Sequence, residues 1–589
     1  MGRRIRIGNA GGFWGDDPDA PSRLLGAGGL DYLTVDYLAE LTLAILGRQA
    51  SESPALGYAT DFPKIFGPLL PEILRAGVRV VVNAGGVNPS GCAAALEEQA
   101  RALGVSPRIA VVLGDSLSLH SLELVRPLGG EGPRPDASGI VSANAYLGAF
   151  PVAAALGAGA QIVITGRVTD AALVLGPLVH EMGWKPGDWD ELAGGLVAGH
   201  LLECGAQVTG GNHTDWESVP GGPKGYPIAI VEPDGSFLLT KPQGSGGIVS
   251  VDTIREQLLY EVQDPSAYVS PDVIADFSGL KLEGGPDGVR VSGAKGHEPP
   301  DGYKVSVTYF DGHKITGSVL VSGPRAVGKA RRYAADFWER CPSLGRTHTE
   351  LVGYSSFGGG FCDEEMVEEI ELRLSAWNAE APPLERFAKL LPALILAGPP
   401  GITFTGSLPK AQPVLSLWSG IVPKSVVSTR VALHEGGAVG VETPVAAGPP
   451  GAASRGPSGA GTQRAERASR PLAEVRQAGA VGEPLERLAF ARSGDKGNSA
   501  NIAVLARDGR AYAILEEWLT AQQVKDWFQE RVEGAVTRYC APKLFALNFV
   551  MEKALGGGGM ASLRADALGK GLGQLLLRLR VPVPGKEVR

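Results

Sequence analysis

What most narrows the fold of this 589-residue chain is a unit that recurs through residues 4–212. Each unit is a short, uninterrupted β-branched run that ends in small or polar residues and gives way to a helix-length segment. The runs are RIRIGNAGG (4–12), GVRVVVNAGGVNPSG (77–91), RIAVVLGDS (108–116), AQIVITGRVTDAA (160–172) and AQVTGGNHTD (206–215), with helices expected at 62–76, 92–103 and 192–204. Apolar runs that do not alternate describe strands covered on both faces, as parallel sheets are. The pattern predicts an α/β core with a mostly parallel sheet, doubly wound in preference to a β/α barrel. Either arrangement places ligand at the carboxyl ends of the strands.

Beyond residue 225 the pattern changes. PIAIVEPDGSFLLT, GVRVSGAK and YKVSVTYFDGHKITGSVLV carry hairpin signals between β-rich runs, with helices expected at 251–261 and 327–340. Residues 435–484 are Gly, Ala, Pro, Ser and Arg with almost no large apolar side chain, a composition that builds no core. The expected division is a core at 1–434 (α/β at 1–225, β-rich α+β at 226–434), a flexible linker at 435–484 and a compact domain at 485–589. A chain of this length exceeds one hydrophobic core in any case.

The charge-free stretch 147–166 is long enough to raise a membrane span. Its Gly-Ala-Gly at 157–159 and Gln161 divide it into helix, turn and buried strand. The net charge of −8 argues against nucleic-acid binding, which leaves a basic footprint. From Glu486 onward 16 Lys/Arg stand against 11 Asp/Glu, so a mildly basic tail follows an acidic body. That contrast suits a small anionic ligand. The five cysteines have no metal-ligand or disulfide spacing, and the start MGRRIRIGNAGG lacks the apolar core of a signal peptide. The expectation is a cytoplasmic homo-oligomer with no membrane, nucleic-acid, metal or cofactor partner.

Candidate site residues come from the strand ends and the tail. Asn9, Asn83 and Arg167 end three runs, where small residues let a ligand approach the backbone and an Arg can clamp a carboxylate or phosphate. Asp36 and Asp170 are candidate acid–base carboxylates. Asn212 and His213 follow the fifth run, and His213 is the histidine best placed for general-base work. Asp16 beside Asp17, and Asp36 four residues before Glu40, could hold a hard cation, but neither has specific ligand spacing. In the tail, ARSGDKGNSANIA (491–503) concentrates Arg492, Ser493, Lys496 and Asn501 in a loop suited to an anion or a domain contact. No dinucleotide, phosphate-loop or nucleophile-elbow motif is present.

RIGNAGGFWGD, VVVNAGGVNP, VITGRVTDAAL, GSGGIVSVDTIREQLLYEVQDPSAYVSPDV, ARSGDKGNSANIAV, VTRYCAPKLFALNFV and ALGGGGMASLRADALGK occur in this order. Together they resemble the AtuA (acyclic terpene utilisation) family, in which a core domain is joined to a small ferredoxin-like domain. The resemblance implies a tail with the ferredoxin-like α+β fold and no iron–sulfur cluster. It also implies a role in the catabolism of acyclic terpenoids and related branched acyl compounds. That pathway association, with the strand-end cluster and the charge contrast, leads to the expectation of a hydratase or lyase acting on a carboxylated acyl-CoA; the alternative is a non-catalytic assembly protein of the same pathway. It carries over no site residues, so the candidates above rest on local chemistry.

Overall fold

The structure, a computed structural model, describes residues 3–582 apart from 130–131, 342–343, 357–362, 405, 436–437, 440–441, 447 and 449–481. Most of the expected linker, and Cys362, therefore lie outside the described residues.

Valine and isoleucine runs build the centre of the main sheet. Its parallel strands lie side by side in the order Ile5–Asn9, Tyr32–Val35, Arg79–Val82, Ile162–Thr165 and Ile109–Leu113. Successive side chains leave opposite faces. Val80 and Val82 therefore pack with helices Ala20–Ala27, Asp61–Phe66, Leu70–Ala76 and Pro89–Ala102, while Val81 packs with Phe150–Gly157, Ala172–Met182 and Trp189–Glu203. The expected helix at 62–76 is two helices joined by the 3-10 turn Gly67–Leu69, because Pro68 and Pro71 cannot donate within one continuous helix. The charge-free stretch resolves into helix Phe150–Gly157 and strand Ile162–Thr165. Among the described residues no helix is long and apolar enough to cross a membrane.

The sheet as a whole is mixed, which corrects the expectation of a mostly parallel one. Hairpin Ile228–Val231/Phe237–Thr240, turning at Pro233-Asp234-Gly235, joins antiparallel to Ile5–Asn9, and Arg430–Glu435 joins antiparallel to Ile109–Leu113. Hairpins supply antiparallel strands, and these extend the existing sheet across residue 225 instead of founding a separate layer. The run at 206–215 is not a strand. After helix Trp189–Glu203 it turns through the 3-10 segment Gly205–Gln207, with Gly205 and Gly210 at positive φ.

A 21-residue strand, Gly302–Ser322, spans two regions. Its first half pairs with Ile140–Ala145 and Gln412–Pro423 beside the main sheet. Its second half pairs with Glu369–Asn378, and helices Ala326–Arg340 and Pro382–Ala393 cover that lobe.

The tail is a four-stranded antiparallel sheet with helices Gly509–Trp518 and Ala521–Phe528 in its core cluster. ARSGDKGNSANIA lies in its first hairpin, Ala489–Lys496/Ser499–Ala506, which turns at Gly497 (φ 64) and Asn498. Glycine at the first of two turn residues matches the twist of the strands. The run Gly556–Gly559 has positive φ throughout and lies against this turn; a Cβ on Gly558 would fall 2.0 Å from the Gly497 carbonyl oxygen.

Candidate recess between the strand ends and the tail

At the carboxyl edge of the parallel strands, buried amides hold acidic side chains. Asn83 donates from Nδ2 to Asp36 Oδ1 (2.6 Å), and its own Oδ1 accepts the Tyr37 amide (2.7 Å). The Leu38 amide also binds Asp36 Oδ1, so both bonds to the carboxyl fall on that oxygen, and Oδ2 has no hydrogen-bond partner among the described residues. Asn9, two strands away, fixes backbone instead of a carboxyl. Its Nδ2 donates to the carbonyls of Gly11, Leu202 and Glu203, fixing the end of helix Trp189–Glu203. Arg167 is buried. It donates to the Leu38 carbonyl (2.9 Å) and Asp170 Oδ1 (2.7 Å), and its guanidinium lies 4.1 Å from the centre of the Tyr146 ring. Its Nε has no hydrogen-bond partner among the described residues.

The tail hairpin brings Lys496 to this edge. Glu261, Glu40, Tyr268 and Asp170 all act on its charge. Around it stand Lys304, which donates to Glu40 Oε1 (2.9 Å), and Lys570, which lies within 3.4 Å of Glu261 and Asp495 and donates to Tyr260. The Tyr146 hydroxyl donates to Glu40 Oε1 (2.6 Å). Lys496 keeps 43% of its side-chain surface exposed, so solvent reaches this crowd of charges.

The carboxyls of the recess are driven in opposite directions. Burial, and then the charge of Asp170, push Asp36 well above its ordinary value despite Arg167 and Asn83. Burial also pushes Glu203 up, and burial with the Glu261 charge pushes Asp495 up to about 6. Burial works to raise Glu40 as well, but Lys304, Lys496 and Arg167 outweigh it and hold Glu40 well below the usual range. Lys496 and Lys570 do the same for Glu261. Lys496 itself stays cationic, because Glu261 and Glu40 overcome the cost of its burial. The basic side chains Arg167, Lys304, Lys496 and Lys570 thus share this edge with the carboxyls of Asp36, Glu40, Asp170, Glu203, Glu261 and Asp495. Carboxyls whose surroundings push their pKa values apart are what acid–base chemistry needs.

The hairpin is held in place by a buried ion cluster. Glu256, fully buried, accepts from Arg492 (2.6 Å), His213 Nδ1 (3.1 Å) and both the amide (3.1 Å) and hydroxyl (2.8 Å) of Thr214. Arg492 also donates to Gln207 Oε1 and the Gly211 carbonyl. Asn501 donates to the Leu259 carbonyl and accepts the Glu261 amide, and Asn548 donates to the carbonyls of Val262 and Gln263. From the core side, Arg255 donates to the Leu544 and Ala506 carbonyls. Gly494 is the tightest point of the seam, since a Cβ there would lie 2.7 Å from Tyr260 Cε2 and 3.0 Å from Glu261 Cγ. Gly494→Val is therefore expected to weaken tail docking by about 1–3 kcal/mol, as overpacking does. Limited proteolysis will read this as faster release of the tail.

The residues expected from sequence now separate by position. Asp36, Asp170, Arg167 and Lys496 meet in the recess. Asn9 and Asn83 stand behind it and hold Asp36 and the Glu203 helix end. His213, Arg492 and Asn501 are spent on the seam between tail and core; His213 is buried against Phe490, with ring centres 5.5 Å apart. Asn212, at φ 56, is exposed and donates to Gln207. Ser493 is buried within the tail, donating to the Gly569 carbonyl and accepting the Gly573 amide. Unforeseen were Tyr146, His200, Glu203, Glu261, Lys304 and Lys570. Of these only the His200–Glu203 spacing, three residues apart on one helix, left a local signal.

Among the described residues, no group of three or more His, Cys, Asp or Glu side chains is placed to hold a metal ion. Asp16 accepts the amides of Gly12 and Asp17 and the Tyr226 hydroxyl, and so organises its own loop.

In comparison with known proteins, residues 5–433 match the family described as acyclic terpene utilisation family protein AtuA, and residues 483–582 match the AtuA ferredoxin-like domain. No curated protein and no solved structure matches the chain.

Proposed function

We propose that this chain, which belongs to the acyclic terpene utilisation family AtuA, is a catabolic enzyme that acts on a branched, carboxylated acyl compound, held as a CoA thioester or a related acid. The single observation behind this reading is the recess. There, a carboxyl whose pKa burial pushes up (Asp36) and carboxyls whose pKa neighbouring cations hold down (Glu40, Glu261) share one space with Arg167, Lys304 and Lys496. Asp36 presents Oδ2 to the ligand and exchanges a proton with the carbon next to the acyl carbonyl. A carboxyl with a raised pKa is the stronger base once ionised, and such catalysis contributes about 10²–10⁴-fold. Arg167 and Lys496 bind the ligand's carboxylate, and Tyr146 and Asp170 keep Arg167 in place. The reaction class is addition or removal of water, or cleavage of the adjacent carbon–carbon bond. In this reading the core is an open sheet wound with helices on both faces, and the recess sits at its carboxyl edge, where such sheets bind ligands.

The runner-up is a non-catalytic assembly protein. Arg492, the tail residue best suited to grip a partner, is already committed to Glu256 of its own core, which favours the enzyme. Purified protein incubated with branched enoyl, 3-hydroxyacyl and glutaconyl-type CoA esters and followed by mass spectrometry is expected to convert at least one carboxylated ester. Lack of both turnover and binding across that panel rejects the enzyme reading.

A further inference from the structure

Glu203 ends helix Trp189–Glu203, where Asp170 and Lys496 act on its charge, and its partner His200 stands three residues earlier on the same helix face. His200 is buried, with its ring beside Tyr268 (5.1 Å) and Phe277 (5.6 Å). Its Nε2 lies 3.2 Å from the Leu258 carbonyl oxygen, and its Nδ1 lies 3.0 Å from Glu203 Oε1. A carbonyl oxygen can only accept, so Nε2 carries a hydrogen and the neutral ring is left with a bare Nδ1. Bare Nδ1 facing an ionised carboxylate would set two lone pairs against each other. The contact therefore requires a further proton between Nδ1 and Oε1.

The other carboxyl oxygen, Glu203 Oε2, is buried without a hydrogen-bond partner among the described residues. The charged or titratable groups around Glu203 are Asp36, Asp170, Cys204, Tyr268 and Lys496. Of these, Asp170 would repel a full negative charge on Glu203. A buried acceptor with no donor carries a desolvation penalty that a donor arriving with the ligand removes.

We infer that His200 and Glu203 share one proton, so that Glu203 stands in the recess as a neutral carboxyl whose Oε2 accepts a hydrogen bond from a hydroxyl group of the ligand. This makes Glu203 a specificity-determining residue for a hydroxylated acid, with His200 as its positioning residue, and it rests on the reading of the recess as an acyl-acid site. A substrate hydroxyl is matched by Oε2 while its carboxylate goes to Arg167 and Lys496. A ligand without the hydroxyl leaves Oε2 unpaired.

Two measurements test this on the full-length protein. In ¹⁵N-histidine-labelled protein, the His200 ring is expected to carry a hydrogen on Nε2, its signal identified by comparison with His200→Gln. Titration with 3-hydroxyglutarate and glutarate, which differ by one hydroxyl, is expected to favour the hydroxy acid by about tenfold to a hundredfold. Glu203→Gln, whose amide can donate to Nδ1 and present its carbonyl oxygen, keeps that preference; Glu203→Leu loses it. A His200 ring with no hydrogen on Nε2, equal or absent binding of both acids, or loss of the preference in Glu203→Gln overturns the inference. Preference for the hydroxy acid without turnover of any thioester leaves it standing and rejects the proposed reaction instead.

Discussion

Replacing Glu256 with Ala is expected to cost about 3–5 kcal/mol of stability, because it leaves the Arg492 guanidinium buried without its counter-charge. Thr214 and His213 lose the same acceptor, so the seam between tail and core loosens at one point. Chemical denaturation followed by tryptophan fluorescence, with proteolytic release of the tail as a second readout, checks the value. The same residue gives a pH dependence with a definite sign. Burial works to raise its pKa, but the His213 and Arg492 contacts outweigh burial and hold it below the ordinary value. A depressed folded-state pKa contributes stability above the unfolded value of about 4.3, and that contribution is lost as pH falls through the folded value. Acidification is thus expected to loosen the wild-type tail below about pH 4, and Glu256→Gln should remove this component of the profile.

The second large effect concerns Asp36. Asp36→Asn keeps the size of the side chain and an acceptor for Asn83, yet cannot take up a proton, so turnover is expected to fall by about 10²–10⁴-fold with modest change in ligand affinity. Because the folded pKa of Asp36 is raised, the wild-type rate should climb with pH through a value well above the ordinary range of an aspartate as the base ionises. Steady-state kinetics across pH with any converted ester measures both features. A variant that loses affinity and keeps its maximal rate would assign Asp36 to binding alone.

Much of this was legible in the residues. Uninterrupted apolar runs ending in Asn, Gly or Arg located four of the five parallel strands, missing Tyr32–Val35, because burial on both faces leaves its mark on every residue of a strand. Hairpin turns at 233–235 were legible as hairpins, but which sheet they would join was not, since edge pairing is decided by the strand already there. Residues 206–215 read as a strand because Ala-Gln-Val ends in small residues; the glycines on either side of Val208 instead turn the chain back under the helix, which carries His213 to the seam. The recess was half visible. Lys304, Glu261 and Lys570 come from segments far apart in the chain, and nothing near any of them marks a site. Asn9 and Asn83 were conspicuous for a real reason, but their amides face the protein and orient the groups that meet the ligand. The stretch ARSGDKGNSANIA contributes in both ways, with Arg492 and Asn501 fastening the tail and Lys496 reaching into the recess.

The central claim is that core and tail build one ligand site. Calorimetric titration of glutaconyl-CoA into the wild type, Arg167→Ala, Lys496→Ala and the double variant tests it most directly. Each single substitution is expected to weaken binding by about tenfold to a hundredfold, as loss of a charged hydrogen bond does, and the double variant to fall short of the product of the two, since both residues grip one ligand. Unchanged affinity in Lys496→Ala, with the tail still protected from protease, would place the site in the core alone and contradict the account.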